Sequence, residues 1–171
     1  DQRAFSRITG YIDDARQHAR IIQGGSARSD VGYFVDPTLV ETDNPGYRLM
    51  REEIFGPVLT VYPYPDGEWA QTLDLVNRTS PYALTGAVFA QDPEAVLEAM
   101  ATLRDAAGNF YVNDKPTGAV VGQQPFGGAR RSGTNDKAGS KLNLIRWVSP
   151  RTIKTTHQPP TDWQYPYMSE A

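Results

Sequence analysis

The spacing of apolar residues predicts a helix over the first 19 residues. One face of that helix collects every third or fourth residue: Phe5, Ile8, Ile12, Ala15 and Ala19. Asp1 can cap the first turn, and Gly24 with Gly25 ends the unit. We therefore expect an amphipathic helix that buries this face.

Short β-rich runs alternate with helices further along the chain. The runs are "VGYFVDPTLVE", which is interrupted by Pro37, then "GPVLTVYPYP", "LTGAVFA" and "NFYVN". Helices are expected over residues 68–76 and from Asp92 to Gly108. The second helix shows one apolar stripe: Val96, Met100, Leu103 and Ala107. The alternation favours an α/β architecture with a largely parallel sheet.

The pattern changes after Asn113. Residues 114–141 are rich in Gly, Lys, Arg, Asn and Asp, and a segment of that length predicts a functional or a disordered loop. "RTIKTT" then alternates as a strand does. The final "HQPPTDWQYPYMSEA" has large aromatics without periodicity, so we expect it to pack on a neighbouring surface of the subunit or of an oligomer.

Composition narrows the function classes. The chain has 171 residues, 39% of them hydrophobic, and contains no apolar stretch near the ~20 residues of a membrane span, so no membrane insertion is expected. A net charge of −3 argues against a dedicated nucleic-acid binder. Residues 114–154 nevertheless contain eight basic and two acidic residues, which favours an anion site, a solvated face or a contact with an acidic partner.

The chain has no cysteine. This excludes a disulfide framework, a thiolate zinc site and a cysteine nucleophile within it, and without a signal-like segment it predicts an intracellular protein. A start at Asp1 suggests a processed or excised polypeptide. His18 and His157 lie in neither nucleophile nor metal-ligand spacing, so neither a catalytic residue nor a metal site is predicted.

Several motifs carry a family resemblance: "EEIFGPV", "GNFYVND", "TGAVVGQQPFGGARRSGTNDKAGSKLNLIRWVSP" and "DWQYPYM". In this order they resemble the C-terminal part of the aldehyde dehydrogenase superfamily, and within it the pyrroline-5-carboxylate dehydrogenases. The likeness covers the whole chain but only about the last third of the family's subunit. It implies part of an α/β catalytic domain over residues 1–148, and an oligomerisation strand with a C-terminal tail over residues 149–171.

The resemblance implies a cofactor site for NAD. Glu53 would accept hydrogen bonds from the nicotinamide ribose, and Phe55 would pack beside the nicotinamide. A carboxylate can hold two vicinal hydroxyls, and an apolar ring restricts the bound ring. Taken alone, the segment is more typical of two surface acids, Glu52 and Glu53, and a core phenylalanine, Phe55.

The resemblance also implies a substrate site. Backbone N–H groups of Gly139 and Ser140 would anchor the substrate's carboxylate, and Trp147 would wall its aliphatic chain. A glycine-rich turn can direct successive amides at an anion, and "FGG" at residues 126–128 would shape the approach to it. The alternatives are a solvated connector and a tryptophan packed in the core.

The implied activity is NAD-dependent oxidation of L-glutamate γ-semialdehyde, formed from pyrroline-5-carboxylate, to L-glutamate in proline catabolism. The family's nucleophilic cysteine and nucleotide-binding elements are missing, so the chain alone is predicted to be inactive. Implied partners are the remainder of the subunit and a second copy, in the cytoplasm or, in a eukaryote, the mitochondrial matrix. The alternatives are a module of a bifunctional proline utilisation protein, although "DWQYPYM" favours the monofunctional enzyme, and a non-catalytic carboxylate-binding or assembly module.

Overall fold

A computed structural model describes residues 1–116, 118–120 and 122–168. The α-helices are Gln2–His18 (α1), Arg48–Arg51 (α2), Trp69–Thr79 (α3), Pro93–Thr102 (α4) and Lys141–Leu144 (α5), and 3₁₀ turns occupy Ile145–Trp147 and Pro166–Met168. The strands are Arg20–Gln23 (β1), Ala27–Arg28 (β2), Phe34–Val35 (β3), Thr38–Glu41 (β4), Val58–Val61 (β5), Tyr82–Ala83 (β6), Thr85–Val88 (β7), Asn109–Val112 (β8) and Ala129–Arg130 (β9). Thr117 and Val121 of the predicted "TGAVVG" motif, and residues 169–171 of the predicted tail, lie outside the described residues.

The first helix forms as its pattern predicts. Asp1 caps α1 by accepting a hydrogen bond from Ala4 N at 2.8 Å, and the apolar face buries Ile8, Ile12 and Ala15. The chain then enters β1, which the apolar pattern did not predict because its four residues are mostly exposed. A strand stabilised mainly by backbone pairing leaves little trace in side-chain periodicity.

The α/β class is confirmed, but the sheet is not one largely parallel structure. The parallel pairs are β4–β5 and β7–β8, and a helix lies between the two strands of each pair, as parallel connections require. The antiparallel pairs are β1–β4, β2–β3 and β6–β9. The correction arises because short segments such as β6 and β9 pair across long stretches of sequence.

A compact cluster forms the core beneath β7 and β8. Leu73, Val88, Ala99 and Leu103 are buried together. In α4 the buried stripe runs through Ala99, whereas the predicted Met100 is 47% exposed. Asp92 caps α4 as expected, but the helix ends at Thr102, several residues before the predicted stop.

The C-terminal segment makes little contact with the described chain. Residues 151–156 are exposed and have no strand assignment, so the predicted "RTIKTT" strand is not formed here, because a strand requires a partner backbone. Trp163 and Tyr167 are also exposed. The rings of Tyr165 and Tyr167 stack on each other at 5.7 Å, so these aromatics pack locally.

None of the helices in the described part of the chain has the length and apolar character of a membrane span.

Candidate functional site

A surface cavity of about 420 Å³ lies along residues 49–60. The chain leaves α2 in an extended conformation, and Ile54 is buried. Glu53 and Phe55 are exposed, and both line the cavity, as does Ile54. The structure therefore brings the two predicted cofactor residues together.

Phe55 has an unusual backbone conformation. Its φ is +48°, a left-handed value that is rare for a bulky residue and marks stored strain. Its side chain is 76% exposed. The next residue, Gly56, packs against α1 so tightly that a Cβ there would lie 2.7 Å from Ile8 Cγ1. This contact holds the turn and presents the Phe55 ring to the cavity.

The two neighbouring glutamates have different roles. Glu52 accepts hydrogen bonds from Tyr11 Oη at 2.5 Å and from Arg48 Nη2 at 3.1 Å. The Tyr11 hydrogen bond and then the Arg48 hydrogen bond lower the pKa of the Glu52 carboxyl. Glu53 is exposed and is positioned to accept hydrogen bonds from a polyhydroxylated ligand.

The predicted anchor turn contains one left-handed glycine. Gly139 has φ +86° and nothing within 4 Å of a Cβ built on it, and no described residue accepts a hydrogen bond from its backbone N–H. The N–H of Ser140 instead donates to Lys137 O at 3.1 Å. In this conformation Gly139 offers the free amide, while Ser140 holds the turn.

The Ser140 hydroxyl strengthens the same turn. Its Oγ donates to Lys137 O at 2.8 Å and accepts from Leu142 N at 3.2 Å, which caps α5. The hydroxyl is therefore committed within the chain, rather than serving as a spare donor.

The glycine-rich loop before this turn is held by several hydrogen bonds. Phe126 and Ala138 exchange backbone hydrogen bonds at 2.9 and 2.8 Å. Asn109 is buried; its side chain donates to Pro125 O at 2.9 Å and accepts from Gly127 N at 3.1 Å. These hydrogen bonds tie the loop to the start of β8.

The "FGG" motif contributes to the packing of the loop. Phe126 supplies the bridge to Ala138. A Cβ on Gly128 would lie 2.4 Å from Ser132 O, so only glycine fits without a shift of the backbone. Ser132 Oγ in turn accepts from Ala83 N at 2.9 Å, which fixes the loop to β6.

An ion pair joins the loop to the segment that carries the predicted tryptophan. Arg146 Nε donates to Asp136 Oδ1 at 2.7 Å. The hydrogen bond from Thr134, followed by that from Arg146, lowers the pKa of the Asp136 carboxyl. Trp147 ends the adjacent 3₁₀ turn and is 81% exposed, so it does not pack in the core of the described chain.

The predicted residues form two separate groups. Glu53 and Phe55 share a cavity lined by residues 49–60, which does not include the second group. Gly139, Ser140 and Trp147 lie within one short segment. Four side chains that support this segment were not among the predicted site residues: Asn109, Asp136, Lys137 and Arg146. The only feature of the sequence that could have indicated their role is that they are polar residues within or beside a glycine-rich loop.

Comparison with known proteins supports the family resemblance that these motifs indicate. The model of the aldehyde dehydrogenase family matches residues 1–153. The mitochondrial Delta-1-pyrroline-5-carboxylate dehydrogenase of Danio rerio is 56% identical over 171 residues, which make up 99% of this chain and 31% of that protein. The Homo sapiens protein of the same name is 55% identical over 170 residues, 98% of this chain and 30% of that one.

Solved structures agree in fold. The Delta-pyrroline-5-carboxylate dehydrogenase from Mycobacterium tuberculosis bound with NAD has a TM-score of 0.77 and 54% identity, covering 99% of this chain and 31% of that one. Proline utilization A from Bdellovibrio bacteriovorus has a TM-score of 0.78 and 35% identity, covering 88% and 15%. The chain spans about 30% of the length of the curated relatives named above. By sequence and by fold, this chain belongs to the aldehyde dehydrogenase family.

Proposed function

We propose that this chain forms the C-terminal part of an NAD-dependent dehydrogenase that oxidises L-glutamate γ-semialdehyde to L-glutamate. Relatives at 55–56% identity are named Delta-1-pyrroline-5-carboxylate dehydrogenases. The semialdehyde is the open form of pyrroline-5-carboxylate, so its oxidation is a step of proline catabolism. Residues 1–148 would belong to the catalytic domain, and residues 149–171 would form the oligomerisation strand and tail.

The observation that carries the proposal is the ordered turn at Gly139. Its amide N–H, which has no acceptor among the described residues, lies at the end of a loop fastened to β8 and β6, and an exposed indole follows a few residues later. A backbone N–H can hold a carboxylate, and an indole can cover a short aliphatic chain. A substrate with an amino acid group at one end and an aldehyde at the other requires this combination.

The cavity along residues 49–60 would hold part of NAD. Glu53 would accept hydrogen bonds from the ribose hydroxyls, and the strained Phe55 would limit the movement of the nicotinamide ring. When bound, NAD supplies the hydride acceptor of the oxidation. An exposed carboxylate acceptor beside an exposed aromatic ring supports this assignment.

The chemical step requires groups outside this chain. Aldehyde oxidation in the family uses a cysteine nucleophile and a glutamate base, and this chain has no cysteine. The chain would contribute the carboxylate anchor and a cofactor contact, whereas the remainder of the subunit would contribute the nucleophile. The isolated chain is expected to be inactive.

Steady-state formation of NADH tests the proposal. The complete subunit that carries this sequence should oxidise L-glutamate γ-semialdehyde far more efficiently than propanal, because propanal lacks the carboxylate. Equal kcat/KM values for the two aldehydes, or no turnover of the semialdehyde, would contradict the assignment. Turnover by the isolated chain would refute its inactivity.

A module of a bifunctional proline utilisation protein is the second candidate, supported by the likeness to proline utilization A. The intact mass of the native polypeptide separates the two. A monofunctional subunit should be about three times longer than this chain, as the Danio rerio relative is. A bifunctional protein should be about six times as long as this chain, since 88% of this chain covers 15% of proline utilization A.

The proposal also concerns self-association of the protein and its cellular compartment. Exposed apolar side chains of the last segment, among them Ile153 and Trp163, favour packing against a second copy in a homo-oligomer. The vertebrate relatives are named as mitochondrial. We place the enzyme in the mitochondrial matrix of a eukaryote or in the cytoplasm of a bacterium.

A further inference from the structure

Ile8 of α1 packs directly against the backbone of Gly56. Among the described residues other than the two chain neighbours of Gly56, Ile8 supplies the three atoms nearest to a Cβ built on that glycine. They are Cγ1 at 2.7 Å, Cδ1 at 2.8 Å and Cγ2 at 3.1 Å. No methyl group fits at such distances, so α1 closely contacts the residue that follows Phe55.

The Ile8 side chain is held rigidly. It is 7% exposed, and a β-branched side chain within a helix is largely confined to one χ1 rotamer. The helix itself is fixed by the Asp1 cap and by the hydrogen bond from Tyr47 to Asp14. Ile8 therefore limits where the Gly56 backbone can lie.

The turn that contains Gly56 is also fixed on the side of the sheet. Val58 N donates to Gly56 O at 2.8 Å, and Thr38 N donates to Pro57 O at 2.8 Å. Val58 and Thr38 are the first residues of β5 and β4. Gly56 is thus held between α1 and these two strands.

Phe55 adopts its left-handed backbone between two fixed neighbours. Ile54 before it is buried, and Gly56 after it is held by Ile8. A φ of +48° is unfavourable for a phenylalanine and persists only where surrounding contacts impose it. The ring is 76% exposed, so its own packing supplies little of that constraint. Without the Ile8 contact, the backbone would relax and the direction of the ring would change.

We propose that Ile8 is a positioning residue for hydride transfer, which fixes the direction of the Phe55 ring through Gly56 and so restricts the nicotinamide. This inference rests on the proposed function, because it concerns the same cofactor site. Ile8 acts only through the turn, since its side chain is buried and is not among the described residues that line the cavity.

Ile8→Ala in the complete subunit tests the proposal. At saturating NAD, kcat should fall about ten- to hundredfold, because misplacement of reacting groups by about 1 Å costs rates of that order. L-glutamate γ-semialdehyde and propanal should lose the same factor, since the change affects the cofactor side of the site. Ile8→Val removes only Cδ1, so it should fold readily and show a smaller loss of the same kind.

Ile12→Ala is the matched control. Ile12 lies one turn further along α1, is 1% exposed and is not among the nearest neighbours of Gly56. Its replacement should lower thermal stability at least as much as Ile8→Ala, because the same atoms leave a buried site, but kcat should stay within about twofold. Equal losses of kcat in the two variants would overturn the proposal in favour of general loosening of α1.

A double-mutant cycle with Phe55→Ala shows whether Ile8 acts through the ring. In the Phe55→Ala background, Ile8→Ala should still lower stability but cause no further fall in kcat, because two residues that act through one contact chain have non-additive effects. Losses of kcat that multiply in the double variant would overturn the proposal.

Calorimetric titration supplies a readout independent of turnover. In Ile8→Ala the Kd for NAD should rise about fivefold, because binding must then immobilise the Phe55 ring. The Kd for ADP-ribose, which lacks the nicotinamide, should not change. Equal rises for both ligands would overturn the inference, as would an unchanged kcat. A wild-type subunit that does not oxidise the semialdehyde would instead overturn the proposed function, so the two failures are distinguishable.

Discussion

Gly108 and Gly127 approach so closely that a Cβ on Gly108 would lie 1.9 Å from the carbonyl oxygen of Gly127. The backbone at the start of β8 and the backbone of the "FGG" loop are therefore in direct contact. Lys137 donates to the carbonyl of Gly108 at the same place. This contact sets how near the loop lies to the strand.

Gly108→Ala should destabilise the complete subunit by about 3 kcal/mol, because the added methyl group overlaps backbone atoms that cannot move independently. The free energy of unfolding in urea measures the effect. Gly10→Ala is the control, and its expected change in the free energy of unfolding has the opposite sign. Gly10 lies within α1 with nothing near its Cβ position, so alanine should stabilise by about 0.5–1 kcal/mol. A neutral Gly108→Ala would show that the two segments separate readily.

Features determined by neighbouring residues could be predicted from sequence. Asp1 and Asp92 cap the helices that follow them, because a capping bond spans only two or three residues. The spacing of Ile8, Ile12 and Ala15 likewise identified the buried face of α1. In each case the decisive contact depends on residues that are close in sequence, so the residue pattern predicts it.

Features that depend on distant residues could not be predicted in this way. Strands β6 and β9 are two residues each and pair across more than forty positions. Lys137 is one of eight basic residues in its region, and nothing in its neighbours indicates that it reaches Gly108. The candidate residues Glu53 and Gly139 came from family resemblance, whereas their supporting contacts required coordinates.

Gly139→Ala should weaken recognition of the carboxylate. A Cβ there meets nothing within 4 Å, so the change acts only on the backbone, whose φ of +86° costs an alanine about 1–2 kcal/mol. Relaxation of the turn should raise KM for L-glutamate γ-semialdehyde about tenfold and leave the KM for NAD unchanged. Steady-state kinetics of the complete subunit provide the measurement.

Gly122→Ala controls for strain alone. Gly122 has a similar φ of +85° and equally open space around its Cβ position, but it lies outside the anchor turn. Its replacement should lower stability to a similar degree while KM for the semialdehyde remains at the wild-type value. If both alanine variants raise that KM equally, the effect comes from general loosening of the loop.

Glu53→Gln should weaken binding of NAD. Glutamine retains one acceptor oxygen but loses the charge and the second acceptor, and a hydrogen bond to a charged group contributes about 1.5–3 kcal/mol. The KM for NAD should therefore rise about tenfold or more, while the semialdehyde KM at saturating NAD stays unchanged. Kinetics at varied NAD concentration measure both values.

Glu52→Gln is the neighbouring control. Glu52 is engaged by Tyr11 and Arg48, so this change should lower thermal stability and leave the KM for NAD within about twofold of wild type. An NAD effect larger in Glu52→Gln than in Glu53→Gln would reverse the assignment of the two carboxylates.

Tyr47 links α1 to the segment before the cavity along residues 49–60 and should make stability sensitive to alkaline pH. Its buried hydroxyl donates to Asp14 Oδ2 at 2.6 Å. Burial first, and then the Asp14 hydrogen bond, raises the pKa of Tyr47 above its ordinary value. A raised pKa in the folded state contributes stability that is complete below the unfolded pKa of about 10 and is lost as pH rises through the folded value.

Tyr47→Phe should therefore cost about 2 kcal/mol at neutral pH, and its deficit relative to wild type should shrink as the solution becomes strongly alkaline. Difference absorbance of tyrosinate between wild type and Tyr47→Phe gives the ionisation of this residue directly. The difference should stay near zero while exposed tyrosines titrate around pH 10, because Tyr47 remains protonated there. A tyrosinate signal from Tyr47 in that range, or a stability deficit that grows with pH, would show that the hydroxyl is neither buried nor held by Asp14.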